Sequence, residues 1–156
     1  MLLNTVAVSN LLCELNNGKL LIVDSHRRSG LILFKPFYAE FAGPGAAIGG
    51  VFDHHCKSIM PVGDFSATEP TSQEERQKSY LIRRQWIRLT HQITEHPVTE
   101  ERVQMILKQF ENYFDSSTVA QLPDEVFALM VGVLPQTVHR VRHVLNRPQL
   151  EVIHQD

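Results

Sequence analysis

Leu122 to Leu145 read LPDEVFALMVGVLPQTVHRVRHVL, two short helical patterns either side of a glycine. Pro123 suits the first turn of a helix, where its missing N–H would have no helical partner. Asp124 and Glu125 follow at the positive end of that helix dipole. Phe127, Met130 and Val131 share an inward face, and Ala128 is the small residue needed where two helices cross closely. Gly132 stands where the chain must turn and takes positive φ without strain. Val133 fills the space between helices and Pro135 opens the second one, whose inner stripe is Val138, Val141 and Leu145. The spacing predicts a helix-turn-helix over residues 122–145, so the C-terminal half is expected to be helical.

Upstream of it the helical pattern continues. Ser72-Gln73-Glu74-Glu75 fits a capping box at a helix start. Ile82, Trp86, Leu89 and Ile93 then recur at helical spacing as one apolar stripe, with the basic residues between them facing mostly elsewhere. His96-Pro97 ends that helix. Thr99 is placed to cap the next, with Glu100 and Glu101 in its first turn and Val103, Ile106, Leu107, Phe110 and Phe114 as its stripe. Four helices are expected in all, the last two forming the helix-turn-helix.

The first third reads as β-structure. Leu11–Leu15 and Lys19–Val23 flank Asn16-Asn17-Gly18, a hairpin signature. Residues 1–10 fit a strand or a short helix. Asp24–Gly30 is a polar turn, and Leu31–Phe41 an apolar run that Pro36 makes an edge strand or two short strands. Ala42–Gly50, AGPGAAIGG, lacks the spacing of a phosphate-cradling loop and reads as a flexible connection or tight turn. Val51–Phe65 offers a returning strand, and Ala67–Thr71 a boundary. The expected fold class is α+β: an N-terminal antiparallel β-meander in a dimerisation or sensing lobe (1–66), then a helical lobe (71–148).

Composition agrees with a folded domain. The chain has 156 residues, 43% hydrophobic and 21% charged, about one domain's length and too apolar for disorder. No run approaches the ~20 apolar residues that span a bilayer, and the N-terminus lacks a signal-peptide pattern. Cys13 and Cys56 make no disulfide framework, so a cytoplasmic location without membrane partners is expected. The net charge of −2 is unhelpful for nucleic-acid binding, but charge is uneven. Residues 76–88 hold Arg76, Lys78, Arg83, Arg84 and Arg88 without an acid, and Arg140, Arg142 and Arg147 follow near the C-terminus.

The stretch 122–145 resembles the helix-turn-helix of the catabolite-activator/Fnr group of transcription regulators. The resemblance rests on Phe127-Ala128 before the turn, Val131-Gly132-Val133 at it and Thr137-Val138-x-Arg140-Val141 after it. It covers these residues only and brings no cyclic-nucleotide domain with it. It implies a second helix lying in the DNA major groove. Gln136, His139, Arg140 and His143 would then point outward, with Gln136 suited to adenine and Arg140 to guanine or a phosphate. Thr137 would meet a phosphate, and Arg142 and Arg147 would add non-specific attraction. Leu134-Pro135 departs from the small polar residue usual at the start of that helix, and residues after Leu145 offer one strand rather than a wing hairpin. The expected function is a small non-enzymatic DNA-binding regulator, a homodimer on double-stranded DNA, with no cofactor and no metal. The alternative is a protein-binding adaptor that presents Leu134, His139 and Arg142 to a partner.

Other constellations carry less. Asp53-His54-His55-Cys56 invites a metal-hydrolase or nucleophile reading, but adjacent residues rarely converge on one metal and no orienting third group is spaced for Cys56. A surface turn is the expectation. Trp86, Phe34, Phe37, Tyr38 and Phe41 read as core and sheet-face aromatics rather than base-stacking platforms.

Overall fold

The computed structural model describes residues 5–145, and the fold is α+β. Helix α1 spans Thr5–Asn16. This replaces the strand expected over Leu11–Leu15: Leu15 is fully buried, with Leu11 and Leu12 packed against the core beside it. A run of apolar residues this short has no period that separates strand from helix. The Asn-Asn-Gly signal also changes meaning. Gly18 has φ 85°, its N–H donates to Leu15 O at 3.1 Å, and Lys19 N–H donates to Glu14 O at 3.0 Å. This pair of bonds is a Schellman helix stop, which uses the same left-handed glycine as a hairpin turn.

Six antiparallel strands follow: β1 (Leu20–Val23), β2 (Ser29–Phe34), β3 (Ala39–Ala42), β4 (Ala47–Gly49), β5 (Ser58–Gly63) and β6 (Ala67–Thr68). They form two three-stranded sheets, ordered β4-β1-β6 and β3-β2-β5. The arrangement is not a simple meander. β1 pairs with β4 through Leu21↔Ile48, while β2 pairs with β3 through Ile32↔Phe41 and with β5 through Ile32↔Met60. The polar turn after β1 carries the chain from one sheet to the other, and Asp24 Oδ1 steadies it by accepting from His26 N–H. Pro36 lies in the β2–β3 turn, where no ladder donor is lost.

The AGPGAAIGG segment is no flexible connection, since Ala46, Ala47 and Ile48 are fully buried around β4. Its Gly43 lies against the indole of Trp86, where a Cβ would come within 2.5 Å of the ring. Close approach of backbone to aromatic, rather than looseness, explains that glycine.

Five helices follow among the described residues, one more than expected: α2 (Gln73–Thr94), α3 (Thr99–Tyr113), α4 (Ser116–Gln121), α5 (Asp124–Val131) and α6 (Pro135–Leu145). Ser72 Oγ accepts from Glu75 N–H, as the capping box requires, but the Glu75 carboxylate reaches Thr71 rather than Ser72. Thr99 is not a cap. Val98 holds that position without a side-chain bond, and Thr99 is the first helical residue. The additional helix, α4, is capped by Asp115, which accepts from Thr118 N–H.

Residues of the strands and of the helices belong to one apolar cluster. Its spine is aromatic. Phe41 on β3 lies 4.9 Å from Trp86 of α2 and 4.8 Å from Phe110 of α3, and Phe110 meets Phe127 of α5 at 5.2 Å. Such offset and edge-on pairs add to the stabilisation from burial alone.

Candidate nucleic-acid interface

Helix α5 ends at Gly132, whose φ of 68° and ψ of 46° are left-handed, and α6 begins three residues later at Pro135. A Cβ at Gly132 would meet nothing within 4 Å, so the constraint there comes from the backbone alone. Val126, Phe127, Ala128, Met130 and Val131 are buried on α5, with Val138 and Val141 on α6. Gly132 and Val133 N–H both donate to Ala128 O, at 3.0 and 3.1 Å, and close the turn. The helical pair expected from the spacing is therefore present, resting on α3.

The α6 residues that the resemblance assigns to DNA divide into two groups. Gln136, His139, Arg140 and His143 are exposed along α6, as the resemblance implies, and that helix contains no acid. His139 and His143 stack with centroids 5.6 Å apart. Acids on neighbouring helices temper the face: Arg140 lies 3.3 Å from Glu100 of α3, and His139 lies 3.4 Å from Asp124 of α5. Thr137, expected to meet a phosphate, is instead only 7% exposed and packs inward.

Arg142 also departs from its expected role. Nη1 donates to Leu122 O at 2.6 Å and to Asp124 Oδ1 at 3.0 Å, while Nη2 donates to Val119 O at 2.9 Å. Its guanidinium stands 5.2 Å from the Phe127 ring centre. Arg142 thus satisfies carbonyls left over at the end of α4 and ties α6 to α5, a structural clamp rather than a free cation. Arg147 lies outside the described residues.

The basic segment of α2 is likewise split. Arg76, Lys78, Arg84 and Arg88 are exposed, but Arg83 is fully buried. Its Nη1 and Nη2 each donate to Asp53 at 2.9 Å, and Nη2 also donates to Glu40 at 2.6 Å. Lys35 Nζ reaches the same Asp53 at 2.8 Å, and Gly49 N–H donates to it at 2.7 Å. Burial pushes the Asp53 carboxyl upward, but Arg83 and then Lys35 outweigh it and hold the group below its ordinary range. The buried positions of Arg83 and Asp53 differ from the surface charge and surface turn expected of them. The available signal was spacing: Arg83 stands three residues before Trp86, on the same stripe.

Only part of Asp53-His54-His55-Cys56 is the expected surface turn. His54 and His55 are exposed, whereas Asp53 and Cys56 are buried. Among the described residues, no three His, Cys, Asp or Glu side chains are grouped so as to hold a metal ion. Cys56 Sγ donates to Ser58 O, and burial, followed by the nearby Asp53 charge, pushes its thiol upward. A protonated buried thiol is a poor nucleophile. With a thiol-reactive chromophore, exposed Cys13 should react first and Cys56 at a full equivalent only in denaturant. Two equally fast equivalents in the native protein would contradict that burial.

Of the remaining aromatics, Trp86 and Phe41 are core residues, while Phe37 is 90% exposed and Tyr38 48% exposed at the β2–β3 turn. No helix among the described residues is long and apolar enough to cross a membrane. Comparison with protein-family models, with curated proteins and with solved structures finds no match for this chain.

Proposed function

We propose that the chain is a DNA-binding regulator that lays the exposed face of α6 in the major groove and acts as a homodimer. The observation that carries this reading is the division of α6 itself. Val138 and Val141 anchor it, while Gln136, His139, Arg140 and His143 face outward from a helix without a single acid. Gln136 and Arg140 have the side-chain geometry for adenine and guanine edges, respectively. One such helix reads only a few base pairs, which is the argument for two copies on two half-sites.

Selection from a random duplex pool at low salt tests the reading. Retained duplexes should dissociate steeply as salt rises, because phosphate contacts release counterions. A protein that retains no duplex at low salt does not act this way. For a selected duplex, Arg140→Ala should weaken specific binding by about 1–3 kcal/mol and relax preference at one position. Unchanged affinity and preference in a filter-binding titration would remove Arg140 from the reading face.

A second reading is favoured by Leu134, 68% exposed at the start of α6, and Val144, 62% exposed near its end. Apolar residues at both ends of a presented helix suit a protein partner, making the same face an adaptor surface. That reading predicts no salt-sensitive duplex retention.

A further inference from the structure

We propose that the cavity between the β2–β3 turn, α2 and the end of α5 is a binding site for a small organic amine with an apolar body. The cavity measures about 260 Å³, below the ~300–1,000 Å³ usual for drug-sized ligands, which restricts the occupant to a small molecule. Its walls include Phe37, Tyr38, Trp86, Leu129 and Met130. Phe37 holds its ring 90% exposed on the rim of this cavity, an apolar surface that a ligand would cover.

The charge of the ligand follows from Glu40. No Lys or Arg lines the cavity, and Glu40 is the only carboxylate that does. Behind it lies the cluster of Arg83, Asp53 and Lys35, whose side chains are 0%, 0% and 6% exposed, against 17% for Glu40. The occupant can therefore touch only the Glu40 member of that cluster. Glu40 Oε2 accepts from Arg83, whereas Oε1 accepts no hydrogen bond from the described residues. An ammonium group in the cavity can donate to the Glu40 carboxylate with Phe37, Tyr38 and Trp86 in the same lining, and carboxylate and aromatic side chains together favour cations. A carboxylate or phosphate would meet Glu40 with no Lys or Arg in the lining to pair with, the Arg83 guanidinium being buried behind it. His91, the one imidazole in the lining, is largely exposed and lies 3.3 Å from Glu95.

Gly132 also borders the cavity, so a bound amine lies against the turn that sets α6. Under the DNA-binding reading the amine is an effector, but its binding does not depend on that reading.

Trp86 is the only tryptophan, so its fluorescence reports occupancy directly. The full chain is titrated with 2-phenylethylamine, with 2-phenylethanol as the neutral analogue and with phenylacetate as the anion. The amine should give a saturable change, the alcohol a response at least about tenfold weaker and the acid none over the same range. Phe37→Ala, at a position too exposed to support the fold, should keep the wild-type circular dichroism and weaken amine binding about fivefold or more. No saturable response to the amine, equal binding of alcohol and amine, or an unchanged affinity in Phe37→Ala would each overturn the assignment.

Discussion

Arg83→Ala is expected to lower the unfolding free energy by about 3–5 kcal/mol, because it leaves buried carboxylate charge without its principal partner. Asp53 is fully buried and takes bonds from Arg83, Lys35 and Gly49. Without Arg83, Lys35 and the Gly49 N–H are left to oppose the desolvation of that carboxylate. A loss of this size is a large share of the ~5–15 kcal/mol that holds a typical domain together. The pH dependence gives the effect a signature. In the wild-type chain Asp53 is held below its ordinary value, so its contribution is present above the unfolded value of ~3.9 and is lost as pH falls below that. In Arg83→Ala the balance moves toward burial, which raises the carboxyl and lets it protonate at higher pH. The deficit relative to wild type should therefore shrink on acidification. Urea titrations at pH 7 and pH 5 measure both parts. A deficit under about 1 kcal/mol at pH 7 would mean that the ion cluster is not what joins α2 to the strands.

Phe127→Ala should cost a similar ~3–5 kcal/mol, the range for emptying a fully buried phenyl site. Phe127 has no exposed surface, stands edge-on to Phe110 at 5.2 Å and lies beneath the Arg142 guanidinium. Its removal opens a cavity where α3, α5 and α6 meet and takes away the ring beside the clamp. The unfolding midpoint in urea should fall with little change in slope, as it does when stability changes but the surface exposed on unfolding does not. A loss below about 1.5 kcal/mol would show that the neighbouring helices close the gap at little cost.

The helical half was the more legible part of the chain. Stripes such as Val103, Ile106, Leu107 and Phe110 repeat over enough turns to specify both helix type and buried face. Gly132 and Pro135 then punctuate α5 and α6 by backbone geometry that few other residues supply. Short segments were harder to read. Leu11–Leu15 covers little more than one helical turn, and the glycine after it serves a hairpin and a helix stop equally well. Strand partners were less accessible still, because nothing local to Leu21 indicates that Ile48 rather than a β2 residue will lie opposite. At the candidate interface, the outward set Gln136, His139, Arg140 and His143 came from the resemblance of residues 122–145 to a known helix-turn-helix. The fates of Arg142 and Arg83 were not legible in that way, since each depends on acceptors distant in sequence: Val119 and Leu122 for one, Glu40 and Asp53 for the other.

The aromatic spine bears on how the α5–α6 helical pair can be inherited or transplanted. Phe41, contributed by a strand, covers Trp86, Phe110 and Phe114 of the helical segment. Residues 72–145 moved into another protein would carry those three rings without their lid, a sticky surface on a foreign host. Here the motif is not a portable cassette, and change in its core has to proceed in step with change in the strands.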